Sequence, residues 1–411
     1  MKRVISCLLT ITLLMSLFVN TYAAGISNVD AGKAIFLSDP IPQDAIDYAK
    51  SQVGSHVNLL YRATMFRNDE VRTTSVSWEN LYLGNGFYKY RLDENKNVYP
   101  EEDICFPVYN DTEIILCLLV YKTDKGDWSA TCSPQYAKEF SSIKEDGYIY
   151  IDQYDEMFVC SDKGLKFICN ADNTIDQNEP RQVPELETQA VLSKKLRSLK
   201  KELQRRAYKS DALCKINLIP IESARPTKSG GPNGFIENLP NRKIFLLDYC
   251  TLPQTDLSGN QNGLCWAASV GTMIRYRTGN RTLTQTKIAD DYNVSYSTGV
   301  FGLNTPLKVL HDYGETQYQI LNAGLGTNVQ IMHNINNQFP IYMDVGRKPI
   351  AFERHALTIV GYWFDNGTMI IMYWNSGTLS CETTSFLGMN TEVTYNGHQW
   401  LWNKTIYIPL N

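Results

Sequence analysis

Apolar and polar positions in this chain follow two periods, and the places where the period changes divide it. Leu81 to Leu92, Asp103 to Tyr109, Glu113 to Lys122 and Trp128 to Ser133 are short runs suited to strands, with turns at Asn110-Asp111 and Lys125-Gly126. A helix is predicted over Pro134 to Ile143, and further strands over Tyr148 to Gln153, Met157 to Ser161 and Leu165 to Asn170. This succession predicts an α+β unit with an antiparallel sheet over residues 25–175. From Glu185 to Lys209 the period becomes helical: Leu192, Leu196, Leu199 and Leu203 share one face, surrounded by Lys194, Lys195, Arg197, Lys200, Lys201, Arg205 and Arg206. The expected role of that basic helix is to pack its leucines on a neighbouring domain. Ser223 to Gly234 has too little apolar content to fold alone and reads as an exposed linker.

The remaining pattern, residues 245–411, predicts helices followed by strands. Leu264 to Tyr276 carries Trp266, Val270, Met273 and Ile274 at helical spacing, and helices are also expected over Thr284 to Tyr292 and Thr305 to Tyr313. His355 to Tyr362 and Met369 to Trp374 read as strands joined across Asp365-Asn366-Gly367, a strong hairpin signal, and Glu392 to Ile408 as a second hairpin.

Chemistry gathers on those elements. Cys265 falls in the first turn of its helix, where unpaired amides and the helix dipole favour a thiolate. His355 would project from a rigid strand as a base, and the hairpin can bring Asn375 beside it to orient the ring. His56, His311, His333 and His398 compete poorly for that role. None of them forms a metal-ligand spacing with the cysteines, so no metal or other cofactor is expected.

Cys265-Trp266, the His355-Ala356 strand with Gly361-Tyr362, and Trp374-Asn375-Ser376-Gly377, in this order, resemble the papain-like cysteine peptidases over residues 245–411. The short catalytic part and wide leader look most like the secreted bacterial branch, the staphopains. The resemblance implies a catalytic domain with one helical and one antiparallel β lobe. It also implies a Cys265-His355-Asn375 triad that hydrolyses peptide bonds, and Trp374 shielding the contact between His355 and Asn375. The family places an oxyanion-hole glutamine six residues before the nucleophile; here that position is Gly259, with Gln261 the preferred substitute and Gln254 the second. Phe106 to Tyr109, Glu113 to Tyr121 and Trp128 to Ala130 resemble the family's cystatin-like half-barrel leader. The organisation that follows is residues 1–24 as signal peptide, 25–175 as prodomain, 176–244 as basic helix and linker, and 245–411 as peptidase domain. Cleavage between Asp176 and Leu247 would release a catalytic domain that its own prodomain inhibits.

The first residues place this product outside the cell: Lys2 and Arg3, an apolar stretch from Val4 to Val19, and the small residues of Thr21 to Ala24 read as a secretory signal. No later stretch suits a membrane anchor. Nine cysteines would remain, and setting Cys265 aside leaves eight, enough for four disulfides or for a set of buried thiols such as Cys117. At 411 residues and 43% hydrophobic content the chain can bury a large core in two or three domains. A net charge of −4 without interleaved aromatics excludes nucleic acid as the expected partner, leaving a protein or peptide substrate. Two other classes use the same residues differently: a cell-wall peptide hydrolase or transpeptidase, and a non-catalytic adhesion or inhibitor module with a vestigial thiol.

Overall fold

The computed structural model describes residues 34–65, 77–111, 113–170, 186–205, 213–219, 234–245, 247, 250–255, 263–300, 302–348, 353–365, 367–395 and 398–410. The signal segment, the linker 223–233 and Gln261 lie outside them.

The fold is α+β. After helix α1 (Gln43–Met65) come strands β1 (Leu81–Leu83), β2 (Phe87–Leu92), β3 (Val98–Tyr109), β4 (Ile114–Lys122) and β5 (Trp128–Ser133). Strands β2 to β5 form an antiparallel meander, with Phe87 opposite Cys105, Ile104 opposite Val120 and Cys117 opposite Ser133. Ile114 to Tyr121 are buried without alternation because both faces of β4 are covered. Leu116, Leu118 and Val120 share a core with Ala49, Val53, Val57 and Leu60 of α1, while Cys117 and Leu119 join Phe140 and Ile149 on the other side.

Local departures from the expected elements have steric causes. The strand expected from Leu81 to Leu92 is interrupted between β1 and β2, where a Cβ on Gly86 would fall 2.6 Å from the Phe106 ring. The helix expected over Pro134 to Ile143 shortens to α2 (Ala137–Ser141), since Tyr136 ahead of it is left-handed at φ 65°. Helix α1 itself is absent from the apolar pattern: its buried row begins with the small residues Ala45 and Ala49 and is interrupted by Gly54.

Strands β6 (Gly147–Ile151), β7 (Glu156–Ser161) and β8 (Gly164–Asn170) form two hairpins, and β6 runs parallel to β2, which makes the sheet mixed. The basic helix is α3 (Leu186–Arg205). Its Leu192, Leu196 and Leu199 pack with Tyr90, Tyr148 and Phe158, and the Tyr148 hydroxyl donates to the Leu192 carbonyl at 2.9 Å.

Beyond β9 (Cys214–Ile216), β10 (Phe235–Leu239) and β11 (Arg242–Phe245), the helices α4 (Cys265–Thr278), α5 (Gln285–Asp291) and α6 (Asn304–Asp312) close on one apolar cluster. After β12 (Gln319–Leu321) and α7 (Asn328–Asn336) come β13 (Ile341–Arg347), β14 (Arg354–Asp365), β15 (Thr368–Asn375), β16 (Ser380–Ser385), β17 (Glu392–Tyr395) and β18 (His398–Tyr407). Strands β13 to β16 are antiparallel neighbours, and β14 turns into β15 with Asp365 opposite Thr368.

One pairing joins the two halves of the chain: β16 lies against β5, with Thr383 opposite Cys132 and Thr384 opposite Thr131. Helix α1 closes the same side, sharing the core of Ile359, Ile371 and Tyr373. Cys105, Cys117, Cys132, Cys160, Cys169, Cys214 and Cys265 carry free thiols, so four disulfides are not formed among the described cysteines. No described helix is long and apolar enough to cross a membrane.

Candidate active site

Helix α4 starts at Cys265 without a side-chain cap on Leu264 and stops at Gly279, whose φ of 73° ends it in the left-handed region. The turn before it is fastened backbone to backbone. Gly263 N–H donates to the Tyr296 carbonyl at 2.7 Å, and a Cβ on Gly263 would stand 2.7 Å from the Gly299 nitrogen. Only glycine allows that approach. Thr358 of β14 ties the helix to the sheet by donating to the Ser269 carbonyl at 3.3 Å.

Cys265 is partly exposed and lines a cleft of about 150 Å³ with His355, Gly263, Gly299, Asp344 and Arg354. Burial of the sulfur raises the thiol pKa, the Ala356 N–H opposes it, the Asp344 carboxylate adds to it, and the Trp266 and Cys265 N–H groups lower it; the balance is about 11. Desolvation thus outweighs the amides that the helix start offers, and the balance opposes the expected thiolate.

His355 is buried near the start of β14. Its Nε2 lies 3.0 Å from Asn375 Oδ1, and burial pushes the imidazole down to about 4 in spite of that bond. The ring stacks on Tyr395 at 4.2 Å between centroids and 9° between planes, with Trp400 edge-on at 6.2 Å.

Asn375, at the end of β15, has no exposed surface. Its Oδ1 also accepts from Gly377 N–H at 3.0 Å, and its Nδ2 donates to Glu382 Oε1 at 3.2 Å. Glu382 on β16 is fully buried, and burial raises its pKa against the hydrogen bonds it accepts.

The structure thus brings Cys265 and His355 to one cleft and Asn375 Oδ1 to Nε2 of the imidazole. Gln254 is buried beside the turn that follows Asn375: its N–H donates to the Ser376 carbonyl at 3.2 Å, and Ser376 Oγ donates to its Oε1 at 3.4 Å. Trp374 sits in the main core with its indole N–H on the Leu252 carbonyl at 2.9 Å. Tyr395 and Trp400, on the hairpin expected over Glu392 to Ile408, pack their rings on His355.

Glu382 was missed by sequence reasoning, although a single carboxylate within Ser380-Cys381-Glu382-Thr383-Thr384-Ser385 was a visible signal. The other histidines stay away from the cleft lining. His56 meets Thr383, His311 the Tyr318 carbonyl, His333 Asn337, and His398 Asp155 and Arg347. The ion pair in the cleft is Asp344 with Arg354, whose Nε donates to Oδ1 at 3.0 Å.

Residues 246–379, which contain Cys265, His355 and Asn375, match the Peptidase_C39 like family. No curated protein matches the chain. At the level of the family, the match supports a cysteine peptidase of the papain-like kind.

Proposed function

We propose that this protein is a papain-like cysteine endopeptidase that cleaves peptide bonds through Cys265, His355 and Asn375, in a cleft between a helical and a β lobe. The observation that carries the reading is the 3.0 Å contact of His355 Nε2 with Asn375 Oδ1, on a histidine that shares its cleft with the cysteine opening α4. Burial pushes the thiol up to about 11 and the imidazole down to about 4, which favours an uncharged pair at rest. As the sulfur attacks the substrate carbonyl carbon, its proton passes to His355 Nδ1. The tetrahedral intermediate expels the amine, which takes that proton from His355, and leaves a thioester. Water, deprotonated by the same nitrogen, then attacks the thioester; the acid product leaves and the thiol is restored.

The oxyanion needs donors. The Cys265 N–H at the helix start is one. For the second, we favour Gln254 over Gln261 because it lies beside Ser376, the residue after Asn375, with its N–H on the Ser376 carbonyl and its Oε1 accepting from Ser376 Oγ.

The test compares the wild-type protein with Cys265→Ala and Asn375→Ala on a denatured protein and on purified cell wall. Cys265→Ala should abolish hydrolysis and labelling by a thiol-directed epoxide while keeping the fold. Asn375→Ala should lower turnover by about 10- to 100-fold, the usual effect of losing a group that orients a reacting residue. Undiminished turnover in Cys265→Ala would overturn the mechanism. Release of peptides from cell wall alone would replace the endopeptidase with a cell-wall peptide hydrolase.

Export and synthesis as a precursor belong to the same proposal. They are supported by the sequence of residues 1–24 and by the apolar-poor linker at 223–234. The cleft-lining residues all come from 263–356, and the described leader packs behind β14 to β16, so in this reading the leader acts from behind the sheet. A time course of the purified precursor tests it. Activity should rise as a fragment near the 245–411 length appears, and a precursor already as active as the fragment would make the leader a scaffold instead.

A further inference from the structure

We propose that Glu382 is a positioning residue that fixes which end of the Asn375 amide faces His355, and through it which imidazole nitrogen is free to take the thiol proton. The inference rests on the triad reading above.

The two ends of an asparagine amide have nearly the same shape and opposite hydrogen-bonding sense. Here the surroundings discriminate between them. On one side Glu382 Oε1 stands 3.2 Å from Asn375 Nδ2 and also accepts from Thr378 Oγ1 at 2.7 Å, so it faces the amide as an acceptor. On the other side Gly377 N–H, a donor that cannot change, points at Asn375 Oδ1 from 3.0 Å. Reversing the amide would set donor against donor at Gly377 and acceptor against acceptor at Glu382. Oδ1 is therefore the atom that meets His355 Nε2 at 3.0 Å. An acceptor there requires the hydrogen of neutral imidazole to be on Nε2, which leaves the lone pair on Nδ1. A neutral histidine with that tautomer can accept a proton from Cys265; the other tautomer cannot.

Glu382 is built for this task more than for stability. It has no exposed surface and is held by neutral donors alone among the contacts described: Tyr373 hydroxyl to Oε2 at 3.1 Å, Thr378 Oγ1 to Oε1 at 2.7 Å, Ser380 Oγ to Oε1 at 3.5 Å, and the Asn375 amide. The Ser133 hydroxyl, from the N-terminal strand β5, adds another. A buried carboxylate held without a cation is costly, and the hydrogen bonds only partly offset it. An apolar side chain would suit the strand better, unless the amide needs an acceptor.

The experiment uses the full-length chain. Glu382→Gln keeps the volume but can offer either an oxygen or an NH2 to Asn375, so only the Gly377 N–H still opposes reversal of the amide. The expected result is a fall in kcat of about 10- to 100-fold with KM unchanged, by analogy with other partners that hold a reacting residue. In the Cys265→Ala background, imidazole nitrogen NMR of His355 should report the Nε2–H tautomer, and a mixture once Glu382→Gln is added. That arm does not depend on catalysis, so it separates failure of this inference from failure of the triad reading. Tyr373→Phe removes one of the carboxylate's donors and keeps the charge; it should move both readouts in the same direction by less, and serves if Glu382→Gln does not fold. An unchanged tautomer in Glu382→Gln, whether or not kcat falls, overturns the proposal, and so does an unchanged kcat.

Discussion

Acid should loosen this fold through His56, and the size of the effect can be worked out. His56 lies on α1 with no exposed surface; its Nδ1 is 2.8 Å from Thr383 Oγ1 on β16, and its Nε2 has no hydrogen-bond partner among the described residues. Burial lowers its pKa from 6.5 in the open chain to about 3. A histidine depressed in this way leaves stability intact above 6.5 and withdraws it as pH falls towards 3, because the unfolded chain binds the proton first. Each pH unit inside that window costs about 1.4 kcal/mol, so going from about pH 7 to about pH 4.5 should remove about 2.5 kcal/mol.

His355, also buried and neutral with a pKa near 4, pulls in the same direction, so wild-type stability alone does not isolate His56. The measurement is therefore a difference. Urea unfolding is followed by tryptophan fluorescence for Cys265→Ala and for the same protein with His56→Asn, which keeps an amide near Thr383 but cannot titrate. At neutral pH the variant should be weaker by about 1 to 3 kcal/mol, since asparagine leaves part of the ring volume empty. By about pH 4.5 that gap should shrink by about 2.5 kcal/mol or reverse. A gap that stays constant with pH would refute the argument and mean that the buried ring takes its proton without loss of structure.

Three further outcomes follow from the site. The acid limb of kcat/KM should centre near pH 4, as His355 gains a proton and can no longer act as a base, and the ultraviolet absorbance of the Cys265 thiolate should stay absent until near pH 11; a thiolate titrating near neutrality would refute the uncharged pair. Gly377→Ala would drive a Cβ into the Tyr395 hydroxyl, whose ring lies on His355, so kcat should drop by roughly 10-fold through misplacement of the base, and wild-type turnover would show that the stacking is dispensable. Gln254→Ala should lower turnover by about 10²- to 10³-fold while Gln261→Ala does little, and the reverse ranking would return the oxyanion role to Gln261.

The sequence by itself determined the parts of this protein whose cause is local. The strand β5, the β14–β15 hairpin, the helices opened at Cys265, Thr284 and Asn304, and the row of Leu192, Leu196 and Leu199 are all legible from residue spacing and turn chemistry, since nearest neighbours set them. The nomination of Cys265, His355 and Asn375 came from the same source, as residue types placed on recognisable elements.

Only the tertiary structure decided what surrounds those three. Helix α1 has a buried face too small and too polar to announce itself, and it forms where β4, β14 and β15 offer a surface to cover. The pairing of β5 with β16 joins strands about 250 residues apart, which no local pattern encodes. The protonation of the thiol is set by how deeply the cleft buries it, and a helix start read from sequence gives only the opposing effect of the amides. Glu382, Tyr395 and Gly377 act on Asn375 and His355 across turns and sheet neighbours. Their roles are set by distance in space, because a buried hydrogen bond or a stacked ring depends on which atoms folding brings within about 3 to 5 Å of each other.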